Sequence, residues 1–398
     1  QGGGTTATGT NSDIYGYYET VVVDGTTYRI ESDIIMHRFN ADGSQDGVEV
    51  RVNPYSEGNQ IDPDIALTES GSYVIGWIGE SEETLNGVCA RFYPGGVAQK
   101  EQVQVAGTKG MRCWDVDVAI NETTGLVLIT WVQGSKDNDT QADELYGRFY
   151  DLNGNAKGVA FKIQKQIDGY SVQNFDVAPI TVNGQVSYVC VWQMFNAQNR
   201  TFDIYQRVLT AQQYSGSFYG VGGAVTRVNQ TTAYGQYAPE ISSNKETGEY
   251  FITWVSDQNQ ANGSDIYTRR FDVNGNPMSF MGTTNETIVN TYVKNVQGAP
   301  DVSCNNNGVV FVWESYDEEE YNYNPDPESK MNLHDFGIAC RVFNYEGKPV
   351  YIMGEVKEII DTGIEKIEVA VKKDPGYVLA MDQGEFIVNT RSRGDQIY

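Results

Sequence analysis

Carboxylates are the one reactive side chain this sequence holds in quantity. Its 398 residues carry 53 Asp plus Glu against 28 Lys plus Arg, with two His and five Cys. Paired carboxylates are the chemistry of glycoside hydrolysis, one giving a proton while the other acts as base or nucleophile. Acids so abundant do not single out a pair, so abundance by itself is uninformative. The two His, His37 and His334, are too few for a His-rich metal site and give little support to a Ser/His/Asp triad. No G-x-S-x-G, H-E-x-x-H or Gly-rich phosphate loop occurs. Nor is there an S-x-D-x-G-x-x-W box of the kind a sialidase-like enzyme would show. The chain is therefore expected not to be an enzyme, with a glycosidase-type propeller kept as an alternative.

Two phrases, DLNGN (151–155) and DVNGN (272–276), begin like calcium loops. A calcium-binding loop of the helix–loop–helix kind needs Gly at its sixth and Glu at its twelfth position. Those positions hold Ala156 and Lys162, or Pro277 and Thr283, so both phrases read as hairpin turns. The densest acidic run contains Asp317, Glu318, Glu319 and Glu320. It reads as a solvated loop, with calcium ordering as its functional alternative. No other cofactor is expected.

The five Cys (Cys89, Cys113, Cys190, Cys304 and Cys340) include no pair at metal-ligand spacing. They read as buried free thiols, with at most one bridge. Six Asn-x-Ser/Thr sequons, at Asn121, Asn138, Asn199, Asn229, Asn262 and Asn285, are glycosylation candidates if the protein is exported. A net charge of −25 excludes nucleic acid as partner, since phosphate binding needs clustered cations. No stretch approaches the ~18 apolar residues of a membrane span.

What positions these groups is a repeat. Trp77, Trp131, Trp192, Trp254 and Trp313 each end an apolar phrase: YVIGW, LVLITW, SYVCVW, YFITW and VVFVW. A sixth phrase, GYVLAM, ends at Met381. Such spacing is the mark of a propeller, a solenoid or an array. Each unit reads as four strands: a short strand a (PDIAL, VDVAI, FDVAPI, PEIS, PDVS, IEVAV), strand b ending at the Trp, strand c with an Arg in register, and strand d. The Arg residues are Arg38, Arg91, Arg148, Arg207, Arg269 and Arg341. Strand a carries an acid in register: Asp64, Asp117, Asp176, Glu240, Asp301 and Glu368. The Trp is read as packing between units, and the Arg as pairing with a neighbouring acid or carbonyl.

Four antiparallel strands repeated radially predict an all-β, six-bladed β-propeller. The segment 365–398 supplies strands a and b of the last blade, and residues 36–53 its strands c and d, so both ends share one blade. Seven blades is the alternative. A short helix over GEVKEIIDTG (354–363) is the one helical expectation. Residues 1–31 read as a Gly/Thr-rich extension followed by a hairpin around Asp24–Gly25, and residues 32–398 as the propeller.

The phrase D-I-Y-x-R…F-D-x-N-G-N (265–276) resembles repeats of large secreted bacterial and archaeal surface proteins of the β-propeller type, over roughly residues 32–398. The resemblance implies an extracellular setting and no defined activity. The opening QGGGTTATGT is expected to be a processed N-terminus. Its small residues Gly2, Gly3, Gly4, Thr5, Thr6, Ala7, Thr8, Gly9 and Thr10, with Gln396, Ile397 and Tyr398 at the other end, are candidates for adding a strand to a neighbouring copy. The expectation is a non-enzymatic extracellular structural subunit, self-assembling head-to-tail, with itself as partner. A monomeric lectin-like or adhesin-like propeller that binds surface glycans or proteins is the other alternative.

Overall fold

The structure is a computed structural model. It describes residues 11–13, 16–23, 26–30, 32–40, 43–55, 58–79, 87–99, 101–107, 111–135, 143–165, 170–182, 184–196, 200–259, 263–291, 293, 295–316, 336–350, 354–361, 366–373 and 386–387. The chain forms two compact units. One is Gln1–Asp168 with Gln212–Tyr219; the other is Gly169–Ala211 with Gly220–Tyr398.

The first unit holds two four-stranded antiparallel sheets. The first sheet runs Gln60–Leu67, Tyr73–Gly79, Gly87–Tyr93 and Val103–Ala106 in strand order a to d. The second runs Met111–Asn121, Leu126–Ser135, Glu144–Tyr150 and Phe161–Gln164. A three-stranded sheet (Asn11–Asp13, Gly16–Val23, Thr26–Ile30) and the pair Ile35–Met36 with Val50–Arg51 precede them.

In the second unit, strands a to c of the third sheet are Tyr170–Val182, Gln185–Asn196 and Thr201–Tyr214, with Ser217–Gly222 and Thr226–Arg227 at the outer edge. The fourth sheet is Gln236–Ser243, Tyr250–Ser256 and Asp265–Phe271, edged by Pro277–Met278 and Thr287–Ile288. The fifth is Gln297–Asn305, Gly308–Tyr316, Phe336–Phe343 and Phe386–Ile387. The short meandering connections follow from Gly and Asn at the turns, and the strands from their Val, Ile and aromatic content.

The C-terminal part departs from expectation. Gly354–Asp361 is a strand, not a helix, and it pairs with Lys366–Lys373, register Val356↔Val371 and Ile360↔Ile367. Two Val/Ile-rich runs close in sequence favour a local hairpin over a helix, because β-branched side chains are restricted in helices and fit a pleated surface. The strand-a phrase IEVAV is thus one arm of that hairpin. Phe386–Ile387 pairs with the fifth sheet (Ala339↔Ile387) as its outer strand. The phrase GYVLAM lies outside the described residues.

All five repeat Trp side chains are at most 1% exposed. Strand a of each later sheet packs on strand b of the one before it in its unit. Val118 and Val116 lie so close to Gly76 that a Cβ there would sit 2.9 and 3.1 Å from their methyls. This close approach is what glycine in a strand interior permits. In the second unit Ile241 clusters with Val189 and Val191, and Val302 with Phe251.

The buried indoles also need acceptors. Trp77, Trp254 and Trp313 donate to Gln60, Gln236 and Gln297 at 2.8, 2.8 and 2.9 Å. Each of these Gln opens its own strand a. In the second sheet that register holds Cys113, and Trp131 donates to Gln133 instead, at 3.3 Å. In the third it holds Val172, and Trp192 Nε1 has no acceptor.

The register Arg residues pair mostly with carbonyls. Arg91 and Arg269 donate to Val52 O and Val228 O, each at 2.6 Å, and Arg341 donates to Val289 O. Arg148 and Arg207 bond Gly158 O and Gly223 O, while Arg38 pairs with Asp46 at 3.2 Å.

Candidate functional site

Strand a carries a β-bulge in every sheet, just before its acid. The bulged residue adopts positive φ each time: Asp62 (50°), Asp115 (59°), Asn174 (36°), Ala238 (45°) and Ala299 (39°). Asp and Asn tolerate this region far better than Ala. Ala238 is held there by Gln193, whose Oε1 accepts the Ala238 N–H at 2.7 Å. A bulge re-aims the residues that follow it.

The acids after the bulge reach the next sheet's backbone. In the first unit, Asp64 Oδ2 accepts the Val118 N–H at 2.7 Å. In the second, Asp176 Oδ2 accepts the Ile241 N–H at 2.7 Å and its Oδ1 the Val177 N–H at 2.6 Å. Asp64 and Asp176 are thereby inter-sheet staples. Register Arg residues were the partners open to them on sequence grounds, but backbone N–H groups take that place.

Asp301 differs. Its Oδ1 accepts the N–H of the adjacent Val302 at 2.6 Å. Burial pushes its carboxyl above the usual carboxylate range; the Val302 N–H pulls the other way, and the negative charge of Asp176 adds to the upward push. Yet residue 301 retains open surface. The half-buried Glu240 stands in register on the intervening strand. In the first unit, burial likewise raises Asp62, beside the stapled Asp64.

Thiols supply no nucleophile. All five Cys are free. Burial pushes Cys89, Cys113 and Cys340 up to about 12, and Cys190 higher still. Among the described residues no group of three His, Cys, Asp or Glu is placed to hold a metal. The calcium candidates Asp317, Glu318, Glu319 and Glu320 lie outside the described residues. The DLNGN and DVNGN phrases are turns closed by their own Asp. Asp151 Oδ1 accepts the N–H of Asn153 and of Asn155 at 3.0 Å, and Asp272 Oδ1 those of Asn274 and Asn276 at 2.8 and 2.9 Å.

Asn229 is 2% exposed, and its Nδ2 donates to Asp203 at 2.6 Å and to Thr231 O at 2.8 Å. A nitrogen so committed does not suit a glycan. Asn121 is also buried, whereas Asn285 is exposed. Asn138, Asn199 and Asn262 lie outside the described residues, as do the inter-subunit candidates 2–10 and 396–398.

A repeated clamp escaped the sequence reading. Asn53, Asn229 and Asn290 each accept the N–H that opens strand c, from Ile34, Ile204 and Ile266, and each donates to the preceding Asp33, Asp203 or Asp265. The signal was present: D-I opens the strand and V-N closes its partner in all three.

No family model matches this chain, and no curated protein does. The resemblance to surface-protein repeats thus has no family match behind it. Among solved structures, the chain is similar to a Hadza microbial sialidase (8% identity, TM-score 0.41) over 73% of this chain and 57% of that one. It is similar to the NanB sialidase from Streptococcus pneumoniae (5%, 0.43), over 74% and 60%. It is similar also to an endo-arabinase from Bacteroides thetaiotaomicron (12%, 0.35), over 61% and 82%. It thus spans less than two thirds of either sialidase. Two expectations are corrected here: the non-enzymatic, self-assembling structural subunit, and the chain that is not an enzyme. The three solved structures named above are two sialidases and an endo-arabinase. The in-register acids are also unlike one another, with Asp301 raised while Asp64 and Asp176 are tied to backbone N–H groups.

Proposed function

We propose that this chain hydrolyses glycosides, with the acids of its second unit as the reactive groups. The supporting observation is the unlike setting of neighbouring carboxylates: Asp301 is raised by burial and by the charge of Asp176, and Asp176 accepts on both oxygens. Acids in unlike settings can divide into proton donor and charged partner. Asp301 gives its proton to the glycosidic oxygen as the bond to the anomeric carbon breaks. The charge on Asp176 stabilises the cationic sugar. Glu240 takes a proton from the attacking water, whose oxygen bonds to the anomeric carbon. The products are a free alcohol and a reducing sugar.

The test is turnover of a panel of 4-nitrophenyl glycosides and neutral polysaccharides. Asp301→Asn and Glu240→Gln should each lower the rate by ~10²–10⁴. Wild-type protein that turns over none of the panel, or variants as active as wild type, would overturn the reading.

A six-bladed propeller is the finer reading of the fold. Ile65 is 54% exposed and Leu67 62%. The residues in register with Ile65, namely Val118, Val177, Ile241 and Val302, are 4 to 7% exposed.

A further inference from the structure

We propose that Gln193 is a positioning residue, which holds the strand-a bulge of the fourth sheet in the form that sets where Glu240 stands. The proposal rests on the hydrolytic reading above, in which Glu240 takes the proton of the attacking water. Gln193 follows the buried Trp192 on strand b of the third sheet and is 5% exposed. The residue after the repeat Trp is Ile78, Val132, Val255 and Glu314 in the other sheets. Three sister sheets thus place an aliphatic side chain there, so the repeat does not demand a Gln. Buried polar groups are kept where they are hydrogen-bonded.

Its bond reaches the fourth sheet. There Tyr237 pairs with Val255 and Glu240 with Thr253, so Ala238 and Pro239 together oppose Trp254. A bulge leaves its extra residue outside the ladder, and Pro239 has no N–H to give. The Ala238 N–H goes to Gln193 Oε1 instead, at 2.7 Å. Ala238 sits at φ 45°, where a Cβ is disfavoured and glycine is the usual occupant. An alanine persists there only when its surroundings over-determine it. Strand a is also fixed on either side: Trp254 donates to Gln236 at 2.8 Å, and Asp176 accepts the Ile241 N–H at 2.7 Å. Glu240 therefore lies in a segment pinned at 236, 238 and 241, and Gln193 supplies the pin at the strained residue. Without it the bulge relaxes toward negative φ and carries the carboxylate two residues on with it. A misplacement on the order of 1 Å can cost about 100-fold in rate.

The test is steady-state kinetics of the full chain on the 4-nitrophenyl glycoside that wild type turns over best, with melting temperatures of the same proteins. Gln193→Met keeps length and bulk without the carbonyl acceptor. Measured well below its melting temperature, it should lose at least about tenfold in kcat with KM within about threefold, because it displaces the base and not the substrate. Glycine adopts positive φ without help. In an Ala238→Gly background the same substitution should therefore cost about threefold or less in kcat, and less in melting temperature as well. A residue that merely filled the core would lower the melting temperature alone. Parental kcat in folded Gln193→Met, or equal losses with Ala and with Gly at position 238, overturns the proposal. If wild type turns over no glycoside while melting temperatures still couple the two positions, the hydrolytic reading falls and the hold of Gln193 on the bulge stands.

Discussion

Asp176 on the third sheet holds Ile241 on the fourth, its Oδ2 accepting the Ile241 N–H at 2.7 Å. Asp64 holds Val118 in the same way. The same strand-a register therefore holds neighbouring sheets together in both units, through Asp64 in one and Asp176 in the other.

The staple is testable away from the candidate reactive acids. Asp64→Ala leaves a part-buried N–H without its acceptor and should cost about 1–3 kcal/mol. Asp64→Asn keeps an acceptor oxygen and should cost less. Urea denaturation of both variants measures this; equal midpoints for parent and Asp64→Ala would refute the staple.

Trp192 Nε1 is fully buried without a partner, where three sister sheets supply a Gln. Val172→Gln restores that residue in register. It should stabilise the protein by roughly 1 kcal/mol, seen as a higher melting temperature. A fall would mean the site cannot take the longer side chain.

Asp301 makes stability depend on pH with a definite sign. Its folded carboxyl is raised by burial and by Asp176, while in the unfolded chain it returns to about 3.9. The folded state holds the proton more tightly, so this contribution is complete below the unfolded value and fades as pH rises through the folded one. Asp301→Asn removes the ionisation. The variant should gain melting temperature relative to the parent between about pH 4 and pH 7. A difference that is flat across that range would contradict it. Asp151 runs the other way: burial pushes it up, but bonds from Lys157 and Asn155 outweigh that and hold it low. Its contribution is lost on acidification.

The repeat was legible because a buried Trp at a strand end has few substitutes, and because Gly and Asn mark turns. Five antiparallel sheets follow from that phrase. The acids of strand a were visible as a register but not as a site. Whether a carboxylate staples a neighbouring backbone or stands crowded beside another charge depends on contacts between sheets, which strand patterns do not encode. The hairpin at Gly354–Asp361 was misread because Glu and Lys between its β-branched residues imitate a charged helix.

The most direct measurement of the central claim is reducing-end release from arabinan, galactan and xylan by the wild-type chain and by Asp301→Asn across pH. The predicted result is release by wild type that falls as pH rises through the raised Asp301 value, and a loss of about 10²-fold or more in the variant. No release from any of the three polysaccharides, or equal release by both proteins, would contradict the account.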